Sequence, residues 1–214
     1  IAYYRTIKNY NKKDIIFYHI HNPDIDSQLN LIHLDTKHNW IVMVREPIQS
    51  CESWIIKSFY DNDYLNCSAK ITTMLLDIDN IIYTKQNAVG LRLEDLKKHP
   101  EKTIKALCNW MEIEENQNLY NMTMQGKKWW GDPTSPDYLK DGMKPFGQLS
   151  IERKIGLVFT KRDQLILKTF FYPFNVRFGY VKESEMQFKK DLKTIRPMLD
   201  ELFDFEKKII KETK

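Results

Sequence analysis

The sequence predicts an α/β domain built on a parallel sheet with helices packed on its faces. Short continuous apolar runs, Asp14 to Ile20 (DIIFYHI) and Ile41 to Val44, have the character of strands covered on both faces, not the alternation of a half-exposed antiparallel strand. Other stretches carry apolar residues at helical spacing, and strand-like and helix-like segments alternate along the chain. That alternation is the pattern of a parallel sheet with crossover helices.

Each element has a local reason. Asp14 to Ile20 reads as a buried strand closed by the turn signal Asn22-Pro23-Asp24. Ile41 to Val44, preceded by Trp40, is a second strand. Pro47 opens a helix at its favoured first position, and Ile48, Cys51, Ile55 and Phe59 give that helix one buried face. Ser68 to Tyr83 reads as a further helix and Ala88 to Leu93 as a third strand. Pro100 begins a helix with Ile104, Leu107, Cys108 and Met111 on one face, and Glu101 in its first turn suits the helix dipole. Residues 121 to 149 hold four of the seven glycines and three prolines, a long loop of the kind that is usually functional or disordered. Ile151 to Phe171 reads as a helix, and Glu185 to Lys211 as one charged amphipathic helix. Residues 1–182 are thus expected to form one α/β domain, with residues 183–214 packing on it as a terminal helix.

Composition narrows the function. The 214 residues are 42% hydrophobic and 29% charged, as in soluble globular proteins. Lys and Arg outnumber Asp and Glu by 33 to 29, a net charge of +4. This suits an anionic small ligand but is too small and too evenly spread to point to nucleic acid. Cys51, Cys67 and Cys108 lie far apart without a C-x-x-C, which argues against a disulfide framework or a structural zinc and for buried thiols in a reducing compartment. No transmembrane stretch or signal peptide is visible, so a cytoplasmic location is expected. The sequons at Asn66 and Asn121 weigh little against that.

Glycine is scarce: seven residues, none before Gly90. A Gly-rich phosphate cradle needs backbone that can approach its ligand closely, and the first 89 residues cannot build one. Two later G-x-x-x-x-G frames, Gly126 to Gly131 and Gly142 to Gly147, are followed by Asp132 and Gln148 where a Walker A loop needs Lys.

The richest stretch is Ile41-Val-Met-Val-Arg45-Glu46-Pro47 running on to Ser53. Arg45 sits at the carboxyl end of a predicted buried strand, where open α/β sheets bind ligands. The next helix starts at once, so its N-terminal amides and dipole favour an anion. Gln49, Ser50 and Ser53 share its polar face, with Ser53 about 9 Å along the axis from Pro47. A strand-end guanidinium and a helix hydroxyl can hold one phosphate from two sides. The alternative is an Arg45–Glu46 surface pair beside a solvated serine. His19 and His21 lie on one face of the first strand without an evident third metal ligand.

The apolar strand, Arg45-Glu46-Pro47 and Ser53 eight residues after the arginine resemble the 3′-phosphate motif of sulfotransferases that use 3′-phosphoadenosine 5′-phosphosulfate (PAPS). Other segments are similar in the same order: Leu91-Arg92-Leu93-Glu94-Asp95-Leu96 with His99-Pro100-Glu101, Trp129-Trp130-Gly131-Asp132, and Phe178-Gly179-Tyr180. The resemblance spans roughly residues 14 to 182. It implies a three-layer, P-loop-like fold with a central parallel sheet, and metal-free, in-line transfer of a sulfuryl group from PAPS to a hydroxyl or amine of a small-molecule or glycan acceptor. Arg45 and Ser53 would grip the 3′-phosphate. His21, in a segment resembling the Lys-Thr-His-Leu-Pro of cytosolic members, would be the base; a strand-end histidine bonded to backbone is the alternative. Lys127, Lys128 and Lys144 are candidates for a basic loop over the nucleotide, Lys144 being the one assigned to the cofactor. Leu93 replaces an aromatic residue of the family. Glu94 and Asp95 read either as helix N-terminal capping or as catalytic carboxylates, and Trp129 and Trp130 either as stacking groups or as loop packing.

The family's 5′-phosphosulfate loop, a Gly-containing strand-loop-helix, normally precedes the histidine and arginine motifs. The 20 residues before His21 contain no such pattern, and the chain starts with Ile rather than Met. The expectation is a processed or partial product whose 214 residues alone turn over little PAPS. Two other readings stay open: a non-catalytic nucleotide- or anion-binding relative of the same fold, and a P-loop kinase relative.

Overall fold

A computed structural model describes residues 39–84, 87–121, 123–124, 127–128, 146 and 155–212. The strand expected at residues 14–20 and most of the long loop lie outside them. The described part is α/β and mostly helical, and Asn39–Lys214 group as one unit.

Strand β1 (Trp40–Val44) pairs in parallel with β2 (Ala88–Arg92), in a register that sets Trp40 opposite Ala88 and Val44 opposite Arg92. The β-branched and aromatic residues of β1 favour the extended form. It ends before Pro47, which cannot donate to a sheet ladder and instead starts helix α1 (Pro47–Tyr60). Ile48, Cys51, Ile55 and Phe59 all lie on the buried face of α1, as their spacing predicts. Burial pushes the Cys51 thiol up to about 12, with the neighbouring Glu52 charge adding to the rise.

Helix α2 (Tyr64–Leu76) returns against α1 after a three-residue turn in which Asn62 takes a left-handed φ of 54°. Helix α2 starts four residues before the predicted Ser68, because the Asp63 carboxylate accepts the Asn66 amide and caps it there. It also stops earlier than predicted, at Leu76. Asn80 draws its own side-chain oxygen onto the Ile82 amide at 3.0 Å, and Asp77 accepts from both Asn80 and the Tyr83 hydroxyl at 2.8 Å. These local bonds favour the 3₁₀ turns Asp77–Asp79 and Ile81–Thr84 over continued helix.

Beyond β2 come α3 (Leu93–Lys98) and α4 (Pro100–Met111), the latter burying Ile104 and Cys108. Then follow a 3₁₀ turn at Gln117–Tyr120 and a short antiparallel pair, β3 (Thr123–Met124) with β4 (Lys127–Lys128). The helix predicted from Ile151 begins only at Lys161, as α5 (Lys161–Phe170). Gly156 has φ +106°, a conformation glycine alone adopts cheaply, and Thr160 with Asp163 forms a capping box that sets the helix start. Helix α6 (Tyr172–Arg177) leads to Gly179, whose φ of +70° turns the chain.

The predicted single terminal helix is two, α7 (Glu185–Ile195) and α8 (Asp204–Glu212). Pro197 sits in a 3₁₀ turn between them, where its ring cannot continue the hydrogen-bond ladder. Helix α8 restarts where the buried Asp163 carboxylate accepts the amides of Asp204 (2.8 Å) and Phe205 (3.2 Å). The core joins α1 and α2 to the 158–159 segment, α5 and α8, with Ile55, Cys67, Leu167 and Ile209 essentially sealed from water.

Glu52 is a buried charge inside that core, 3% exposed. Its carboxylate accepts the amides of Gly156 at 2.9 Å, Leu157 at 3.0 Å and Phe159 at 3.0 Å. These three donors satisfy it and fasten the irregular approach to α5 onto α1. Among the described residues, no helix is long and apolar enough to cross a membrane.

Candidate functional site at the carboxyl ends of the parallel strands

Parallel pairing places the carboxyl ends of β1 and β2 side by side, with Val44 opposite Arg92. Two turns leave this edge, Arg45–Glu46–Pro47 into α1 and Leu93 into α3. The Arg45 guanidinium donates to the Gln49 side-chain oxygen from Nη2 at 2.7 Å and from Nε at 3.1 Å. The Glu46 carboxylate folds back over the start of α1 and accepts the Gln49 amide at 2.6 Å, with the Ile48 amide as a further donor. Burial raises the Glu46 pKa and the nearby Glu94 charge adds to it, while the two amides pull the other way.

Glu94 joins the two turns. Its Oε1 accepts the backbone amide of Glu46 at 2.9 Å, and its Oε2 accepts the Tyr180 hydroxyl at 2.8 Å. Tyr180 therefore faces a carboxylate in a half-buried setting, and burial with that hydrogen bond holds its hydroxyl protonated far above the usual tyrosine range. Next to it, Arg92 and Asp95 form a two-pronged pair at 2.6 and 2.9 Å. The remaining Arg92 prong, Nη1, donates to the Gly179 carbonyl at 2.9 Å, and the guanidinium lies 5.5 Å from the centre of the Tyr180 ring. Three segments far apart in sequence thus meet at one sheet edge: residues 45–49, 92–95 and 178–180.

On the strand face, the Phe178 ring covers Gly90 so closely that a Cβ there would lie 2.5 Å from a ring carbon. An open cavity of about 560 Å³ lies alongside, lined by residues that include Val42, Tyr83, Arg177 and Phe178. Arg177 sits over the Tyr83 ring, 5.6 Å from its centre.

Of the residues singled out in the sequence, Arg45 and Ser53 are described, one at the strand end and the other half-buried on α1. His21 and Lys144 lie outside the described residues, as do Trp129 and Trp130. Lys127 and Lys128 are described only as backbone, in β4. The expected anion seat on the α1 amides is altered: the protein's own Glu46 carboxylate already occupies the Ile48 and Gln49 amides, so Arg45 and Ser53 would have to supply the contacts by side chain. Glu94 and Asp95 stand in the first turn of α3, where the capping reading puts them, but Glu94 is turned to the Glu46 amide and the Tyr180 hydroxyl and Asp95 to Arg92. Sequence reasoning missed Glu52, though its spacing held the signal. It lies four residues after Ile48 and three before Ile55, an acid on an apolar face.

Among the described residues, no three His, Cys, Asp or Glu side chains are grouped to hold a metal ion. In comparisons with known proteins, no family model, no curated protein and no solved structure matches the chain.

Proposed function

We propose that this chain is a PAPS-dependent sulfotransferase of P-loop-like fold, in which Arg45 and Ser53 hold the 3′-phosphate of the nucleotide. The reaction transfers the sulfuryl group directly to a hydroxyl or amine of a small-molecule or glycan acceptor. The acceptor atom bonds to sulfur as the bond to the 5′-phosphate oxygen breaks, adenosine 3′,5′-bisphosphate leaves, and the acceptor proton passes to a base. By resemblance that base is His21, and Lys144 contributes to the nucleotide site.

One observation carries this reading. The three separate segments that resemble the family, around Arg45, Glu94 and Tyr180, converge at the carboxyl edge of two parallel strands, tied by Glu94. Ligands of open α/β sheets bind at such edges. A phosphate there would exchange the neutral Gln49 oxygen on Arg45 for a dianion, and charge-assisted hydrogen bonds are the stronger kind.

Calorimetry with adenosine 3′,5′-bisphosphate tests the assignment. Arg45→Ala is expected to weaken binding by about 10- to 100-fold, the worth of one hydrogen-bonded charge contact of ~1.5–3 kcal/mol. No binding by the wild type, or equal binding by both proteins, would refute it.

A further inference from the structure

We infer that Glu94 is the positioning residue of the Arg45 site, fixing the turn that carries Gln49 to the Arg45 guanidinium. The inference rests on the nucleotide reading above and deepens it. The Glu46 amide that Glu94 accepts belongs to the peptide joining Arg45 to Glu46. A peptide unit is planar, so anchoring its N–H fixes the rotation of the whole unit. That rotation steers the chain from the strand end into α1, and with it the place from which Gln49 meets the Arg45 guanidinium.

Two further bonds complete the hold on the turn. Glu46 caps the Gln49 amide at 2.6 Å, and Gln49 in turn receives Arg45. Glu94 is itself held from the other side. The Tyr180 hydroxyl reaches its Oε2, while the Tyr180 ring lies beside Arg92 and parallel to Phe174, with 6.4 Å between ring centres. Arg92 is pinned by Asp95 and by the Gly179 carbonyl. The 178–180 turn thus reports on the strand end through one carboxylate. A side chain serving only to stabilise α3 would need neither contact.

Positioning by hydrogen bonding, as distinct from charge, makes Glu94→Gln and Glu94→Ala behave differently. A glutamine can accept the Glu46 amide through its oxygen and donate to the Tyr180 oxygen through its NH₂ group. Alanine can do neither. In calorimetry with adenosine 3′,5′-bisphosphate, Glu94→Ala is expected to bind about tenfold more weakly, the size of one net hydrogen bond's worth of alignment. Glu94→Gln is expected to bind as tightly as wild type or slightly better, having removed a negative charge near the phosphate. Equal affinity of wild type and Glu94→Ala overturns the inference, and so does a Glu94→Gln protein as weak as the alanine variant.

A ligand-free reading separates this inference from the nucleotide assignment. If the wild type does not bind the bisphosphate, the nucleotide assignment fails. The ¹⁵N spectrum of the unliganded protein still decides on Glu94. The Arg45 Nε–H signal and the Glu46 amide are expected to shift and exchange faster in Glu94→Ala and to keep their wild-type behaviour in Glu94→Gln. Unchanged signals in the alanine variant overturn the inference.

Discussion

Replacing Glu52 by glutamine changes one oxygen to NH₂ and little else in shape, yet the surroundings make it a severe substitution. The carboxylate faces only donors. Oε1 accepts the Gly156 amide at 2.9 Å and the Leu157 amide at 3.0 Å, and Oε2 accepts the Phe159 amide at 3.0 Å. A glutamine with its oxygen in the Oε1 place keeps two of these bonds but turns an N–H toward the Phe159 amide. A buried donor left without an acceptor costs ~1–3 kcal/mol. Glu52→Gln is therefore expected to lose about 2 kcal/mol, which for a chain of this size is a fall of roughly 4–8 °C in melting temperature. Glu52→Ala strands all three amides and leaves a cavity, so at least about 3 kcal/mol is expected. Thermal and urea unfolding followed by circular dichroism give the numbers, and hydrogen exchange at residues 156–159 gives the place. A Glu52→Gln protein within ~0.5 kcal/mol of wild type, with those amides still protected, would refute the reasoning, since changes that small are typical of surface sites.

Two other expectations concern the sheet edge. Gly90→Ala puts a Cβ 2.5 and 2.6 Å from two carbons of the Phe178 ring, so the ring must move off the strand and disturb its packing with Tyr83 and Phe174. A loss of about 1–3 kcal/mol is expected by thermal unfolding, as for other overpacked sites, and a neutral effect would mean that the ring is not held there. Because the Glu46 pKa is raised, the native state binds that proton more tightly than the unfolded chain does. Wild type should therefore lose stability relative to Glu46→Gln as the pH rises from the ordinary glutamate range through the raised native value. Urea titrations across that window should show the difference, and a wild type that gains on the variant with rising pH contradicts it.

What the sequence reveals about this fold depends on how local each cause is. Helix α1 is legible because Pro47, its start signal, and its four apolar positions lie within its own fourteen residues. Strand β1 is legible as a continuous apolar run, β2 as the strand read at Ala88 to Leu93, and the alternation of strand and helix suggests their parallel pairing. The late start of α5 is not legible in that way. Ile155, Leu157, Val158 and Phe159 look like more of the same apolar helix, but the amides of this stretch are claimed by Glu52, over a hundred residues earlier. The break before α8 has a visible cause in Pro197, which a reading weighted toward amphipathic spacing passes over.

The candidate site divides similarly. The Arg45-to-Ser53 spacing is plain in the sequence. Which neighbour satisfies Arg45 is not, because Glu46 and Gln49 are both within reach. The choice is made by the start of α1, whose amides take the Glu46 carboxylate and leave the Gln49 oxygen to the guanidinium. The role of Glu94 was equally hidden, since its partners are 48 and 86 residues away.

The closing of the core has a consequence for the order of folding. The α1–α2 hairpin needs only its three-residue turn, so it can form soon after those helices exist. The cavity it leaves is filled by Phe159, some hundred residues later, and by Phe205 and Ile209 of α8. Tyr64 on α2 likewise waits for Glu206, whose carboxylate lies 3.0 Å from its hydroxyl. A growing chain therefore carries an apolar hairpin face without its cover until α8 has been made. Over that interval residues that later lie sealed from water in the core are exposed apolar surface open to association.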